Sequence, residues 1–112
     1  MSTAFAGEAA HVHELGQLSP ALIARATGAD ETSARNWING KSSPTGARAE
    51  RLGELSSLVE RLVQVIEPRY LEVWLIKPVA ALNDDKPADV IASGRYREVS
   101  RLISALESPI SA

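Results

Sequence analysis

The chain has 112 residues, 45% of them hydrophobic and 23% charged, with no cysteine and a formal net charge of −2. That length allows one compact domain, or two half-size units sharing a core. The missing cysteines exclude disulfides and thiolate zinc sites, and the slight acidity argues against a purely electrostatic DNA binder. No apolar run approaches the ~20 residues that span a bilayer, and no basic n-region precedes an apolar stretch. The expectation is a cytoplasmic protein that acts without a cofactor, a structural metal or a membrane. Aromatic residues are scarce, so Trp37 and Trp74 are each expected to anchor packing.

Met1 to Thr3 reads as a frayed end. Ala4 to Leu15 reads as a first helix with Phe5, Ala9, Val12 and Leu15 on one side, weakened by Gly7. Ser19-Pro20 is a helix start, because the hydroxyl caps and proline suits the first position. Thr27-Gly28 closes that helix. Asp30 caps the next, and Asn39-Gly40 ends it. Lys41 to Pro44 is a polar connector. A long helix follows over Thr45 to Ile66, where Leu52, Leu55, Val59, Leu62 and Ile66 recur at alternating steps of three and four. Such a seam is either the spine of a monomer or a surface that pairs two copies.

Pro68 breaks that helix. Arg69 to Ile76 reads as a short helix with Tyr70, Val73 and Trp74 inward, and Pro78 to Lys86 as a loop holding Asp84-Asp85. Pro87 to Ser93 is a short helix ended by Gly94. Tyr96 to Leu106 is an amphipathic helix with Val99, Leu102, Ile103 and Leu106 inward. Ser108 to Ala112 is a proline-containing tail, expected to be mobile or to order on a partner. No convincing strand is present. The predicted class is all-α: an N-terminal helix-turn-helix bundle, a long helix, then a small helical segment.

The pair of short helices within Ser19 to Pro44 carries the first functional expectation. Leu22, Ile23, Ala26, Ala34, Trp37 and Ile38 have the spacing of two crossed helices, the pattern of a DNA-binding helix-turn-helix. With Ala34, Trp37 and Ile38 inward, Glu31, Thr32, Arg35 and Asn36 face outward near the start of the second helix. Arg35 suits guanine O6 and N7, and Asn36 suits adenine N6 and N7. Thr32 suits a phosphate or a thymine methyl. Glu31 suits cytosine N4 but also repels the backbone. Ser19, Lys41, Ser42 and Ser43 stand where phosphate contacts are usual. Gln17 to Arg51 holds five basic residues against three acidic ones, enough for a dimer to track phosphates but not for tight binding by one copy. The plainer reading of the same spacing is a helical hairpin with polar outer faces.

Other chemistry is thinly represented. His11-Val12-His13-Glu14 invites a metal reading, but residues two apart on a helix diverge, and an exposed polar face explains them. Asp84, Asp85 and Asp89 read as a solvated turn with a helix-start aspartate. No phosphate loop or serine–histidine–acid set is present, so an enzyme is not expected. Tyr96 with Arg95 and Arg97 forms an aromatic–basic cluster of the kind enriched in interfaces.

Residues Arg69 to Ala112 carry a more specific pattern. Trp74-Leu75-x-x-Pro78 is followed by Leu82, Asp84, Pro87-x-Asp89, Val90-Ile91, Gly94, Val99 and Leu102-Ile103. This arrangement, behind a helix-turn-helix, resembles the Xre/MbcA/ParS-like type II antitoxins, and most closely the MbcA type. The resemblance covers nearly the whole chain. It implies a partner that is a RES-domain toxin, an enzyme that destroys NAD. It also implies that the antitoxin covers the toxin's active-site cleft and represses their shared operon. On that footing residues 1–66 are the DNA-binding region with its long connecting helix, and 67–112 the toxin-binding region. The resemblance assigns toxin contact to Trp74, Leu82, Pro87, Tyr96, Val99, Leu102, Ile103 and Ile110. Closure of the chain's own core is the preferred reading for Trp74. Ala34 is smaller than the valine or isoleucine common in the family, which implies a looser recognition helix. Operator DNA and a homodimer within a larger complex complete the expected partners. A stand-alone Xre-like regulator and a pure protein-binding inhibitor are the alternatives.

Overall fold

The computed structural model describes residues 7–108. Seven α-helices follow in order among them: α1 (Glu8–Gly16), α2 (Pro20–Thr27), α3 (Glu31–Ile38), α4 (Gly46–Leu62), α5 (Leu71–Ile76), α6 (Pro87–Ala92) and α7 (Tyr96–Glu107). Single 3-10 turns at Pro68–Tyr70 and Ala80–Leu82 flank α5. Among the described residues no strand forms, and Val79 and Asp85 make only an isolated bridge. The expected all-α class holds.

Local signals set most boundaries. Ser19 accepts the Leu22 N–H at 3.1 Å, and Pro20 takes the first helical position. Asp30 accepts the Ser33 N–H at 2.7 Å. Gly28 closes α2 at φ 76, a left-handed conformation that a side chain would resist. The start of α1 is corrected. Gly7 stands at φ 79 before Glu8, so the helix cannot run through it. The expected start at Ala4, with Phe5, lies outside the described residues.

Helix α4 is the spine. Leu52, Leu55, Val59 and Leu62 are all 0% exposed, so the seam lies inside the monomer. Each such side chain contributes about 1.5–3 kcal/mol through burial. The helix ends at Leu62, short of the expected Ile66. Turns carry the chain on, with the Ile66 N–H returning to the Leu62 carbonyl at 2.8 Å. The other helices close around this spine, and one core runs from Ala9 in α1 to Ile103 in α7 without a break at residue 66.

Two inward faces differ from the sequence expectation. In α5, Leu71 and Leu75 are fully buried, whereas Val73 is 46% exposed and Tyr70, in the turn before the helix, 51% exposed. Trp74 is half-buried and packs on the core's edge. Leu71 and Leu75 are four residues apart and share the face toward the core. In α7, Val99 and Ile103 are buried, Leu102 is half-buried, and Leu106 faces out.

Candidate functional site

Helices α2 and α3 pack across a short turn, with Ala34 fully buried and Trp37 nearly so. Ala34, the small inward residue of α3, is fully enclosed at this contact. Packing those residues inward leaves Glu31, Thr32 and Arg35 exposed and Asn36 half-buried, with Lys41, Ser42 and Ser43 exposed beyond the helix. Two placements qualify this face. Arg35 is held in an ion pair with Glu31 one turn earlier. Ser19 is already engaged: its N–H and hydroxyl donate to the Glu72 carboxylate of α5 at 2.8 and 3.1 Å. A carboxylate therefore occupies the position expected for a phosphate.

Further charged contacts tie the two halves of the chain together. Arg25 of α2 grips Asp89 of α6 with paired hydrogen bonds of 2.6 and 2.9 Å. The guanidinium holds the Asp89 carboxyl below its usual range, chiefly through those bonds. Arg61 of α4 donates to Glu107 at 2.8 and 3.0 Å, to the Ser100 hydroxyl at 2.6 Å and to the Ser104 hydroxyl at 3.0 Å. It lashes α7 to the spine and lowers the Glu107 carboxyl through the same bonds. Sequence reasoning missed Glu72, Arg25 and Arg61. Their partners lie 39 to 64 residues away, and no local pattern links them.

The residues assigned to toxin contact divide in two. Leu82, Pro87, Val99 and Ile103 are buried in the chain's own core. Val99 and Ile103 are 0% exposed and help to seat α7, while Leu82 keeps 3% of its surface at the edge of an open furrow. Trp74, Tyr96 and Leu102 are half-buried and keep an outer side. Ile110 lies outside the described residues.

The remaining candidates disperse. His11 Nε2 meets Glu60 of α4 at 3.1 Å, while His13 Nδ1 meets the Leu18 carbonyl at 2.7 Å. A carbonyl only accepts, so Nδ1 of His13 carries the proton. Asp85 pairs with Arg95 at 3.4 Å and Asp89 with Arg25, so the three aspartates do not converge. Among the described residues no three His, Cys, Asp or Glu side chains are placed to share a metal ion.

No protein-family model matches the chain. The mycobacterial cidal antitoxin MbcA of Mycobacterium tuberculosis strain H37Rv is 32% identical over 78 residues, spanning 70% of this chain and 69% of the relative. The chain belongs to the MbcA family of antitoxins. A probable mycobacterial cidal antitoxin of the same strain is 33% identical over 78 residues, spanning 70% of this chain and 64% of that relative. The MbcA fold also matches in three dimensions. A chain of the M. tuberculosis MbcT–MbcA toxin–antitoxin complex superposes with a TM-score of 0.81 at 26% identity, covering 96% of each chain. MbcA-family proteins are antitoxins, and this chain is not an enzyme. No helix among the described residues is long and apolar enough to cross a membrane.

Proposed function

We propose that this MbcA-family chain binds and blocks the active site of a RES-domain toxin that degrades NAD. We also propose that it represses their shared operon through α2 and α3 acting as a helix-turn-helix. The observation that carries the first part is the match, over 96% of both chains, to a chain taken from a toxin–antitoxin complex. The RES chemistry follows from the family resemblance. Trp74, Tyr96 and Leu102, with Ile110 in the tail, are the proposed toxin contacts, because the first three keep an exposed side.

The DNA part is supported by the exposed row Thr32, Arg35, Lys41 and Ser42, with Asn36 beside it. Ser19 leaves this set while Glu72 holds it, and Arg35 must leave Glu31 to reach a base. Binding by one copy is weak on these grounds, so operator recognition needs a homodimer. The α4 seam is internal and cannot provide it. Exposed Val73 and Ile76 of α5, with Tyr70 of the turn before it, offer an apolar face for a second copy.

The test is co-expression with the toxin-like reading frame beside the chain's own gene. Co-purification and preserved cellular NAD are expected. Loss of NAD, or no complex, overturns the toxin reading. Retardation of the chain's own promoter DNA without any such partner favours a stand-alone regulator instead.

A further inference from the structure

Helix α7 carries two glutamates and two arginines. Both glutamates are engaged within the molecule: Glu98 pairs with Arg95 at 3.3 Å, and Glu107 with Arg61 at 2.8 Å. Among the described residues, neither Arg97 nor Arg101 has a carboxylate within ion-pair distance. The two arginines are exposed and one turn apart. They border an open furrow with two adjoining lobes. The first, about 380 Å³, is lined by residues 94–98 together with Glu54 and Arg101. The second, about 360 Å³, is lined by Ala81, Leu82 and Leu102, and it shares Glu98 and Arg101 with the first.

The charges of the furrow do not cancel. Arg51 lies behind the first lobe and faces Glu54 at 2.8 Å through Nε, a charge contact not aligned as a hydrogen bond. Its Nη2 bonds the other oxygen of Glu54 at 3.3 Å. Arg51 is shared between Glu54 and Glu50, and Arg95 between Glu98 and Asp85. Among the described residues, Arg97 and Arg101 remain without a carboxylate, and the furrow's own lining holds three arginines against two glutamates, on a chain whose net charge is −2. Half-buried Tyr96 sits between these groups, and aromatic and arginine side chains together are the usual anchors of protein interfaces.

We infer that this furrow docks an acidic segment of the partner toxin. The segment's carboxylates meet Arg97 and Arg101, and a neighbouring apolar side chain enters the lobe formed by Ala81, Leu82 and Leu102. The inference rests on the toxin-binding reading and adds the chemistry of the toxin segment. A nucleic-acid backbone is the less suitable polyanion. Glu54 and Glu98 line the same furrow and oppose an unbroken row of phosphates, whereas a peptide places its acids only opposite the arginines. The apolar lobe also matches a side chain better than a sugar.

The decisive experiment titrates the purified co-expressed toxin with the full chain, with Arg97→Glu/Arg101→Glu, and with Arg97→Lys/Arg101→Lys. Measurements at about 50 and about 300 mM NaCl separate charge from shape. Circular dichroism checks that each variant folds. The charge-reversed variant is expected to bind about tenfold more weakly or worse, and to lose most of the salt dependence. The lysine variant is expected to keep most of the affinity. Wild-type affinity and salt dependence in the charge-reversed variant would overturn the inference and leave the toxin reading standing. Loss of promoter-DNA retardation with toxin binding intact would also overturn it, assigning the furrow to phosphates. A wild-type chain that does not bind the toxin removes the toxin reading and this inference together.

Discussion

Gly16, the last residue of α1, lies against the spine. A Cβ there would stand 2.9 Å from Val59 Cγ1 and 3.1 Å from Leu18 Cγ. Val59 and Leu18 are both 0% exposed, so neither can move aside without disturbing the core. Alanine in a helix interior ordinarily gains up to about 1 kcal/mol over glycine. Overpacking a filled core costs about 1–3 kcal/mol, and at the last residue of a helix the propensity gain is small. Packing therefore wins. Gly16→Ala is expected to lower stability by about 1–2 kcal/mol, seen as a lower urea midpoint with unchanged slope. An unchanged or higher midpoint would show that α1 rides off the spine at no cost. Ala34 illustrates the same close packing in α3. Its small side chain is fully enclosed against its neighbours.

At the scale of elements, legibility followed the range of the signal. Ser19, Gly28, Asp30, Pro68, Pro87 and Gly94 mark helix ends through contacts within a few residues, and those ends were readable. The inward face of α5 was not. Its six residues span under two turns and are apolar at all but one position, so the pattern does not choose between Tyr70–Val73–Trp74 and Leu71–Leu75. Packing chose the leucines. Helix α7 shows a conflict of another kind. Val99 and Ile103 suit the inner face of an amphipathic helix and, by the family resemblance, partner contact, and in the folded chain both are 0% exposed. Arg61 also ties α7 to the spine, bonding Ser100, Ser104 and Glu107. Arg61→Ala removes this charged lashing but leaves Val99 and Ile103 packed. The α7 amides are then expected to exchange hydrogen about tenfold faster or more, with α2 unaffected, since hydrogen bonds to a charged group are the stronger class. Unchanged α7 protection would mean that apolar packing alone fixes the helix.

Across the whole molecule, the two halves are held together by charge as well as by the common core. Arg25–Asp89 joins α2 to α6, and Ser19–Glu72 joins α2 to α5, so the proposed DNA-facing unit is clamped to the proposed toxin-facing one. The Asp89 contact has a pH signature. Its carboxyl is lowered in the folded chain, chiefly by the hydrogen bonds from Arg25, while the unfolded chain titrates at about 4, so the unfolded state binds the extra proton first. The stabilisation is complete above that ordinary value and is lost as pH falls through the depressed folded one. Asp30 and Glu107, lowered by Ser33 and Arg61 respectively, act in the same direction. The pair is half exposed, so solvent screening keeps its worth to about 0.5–1 kcal/mol despite the paired geometry. Asp89→Asn is expected to unfold at a lower urea concentration than wild type at neutral pH. The two proteins should converge as pH falls through the depressed carboxyl of the folded wild type. A difference that persists undiminished in acid would mean that Asp89 acts by shape, and that the clamp between the halves is not ionic.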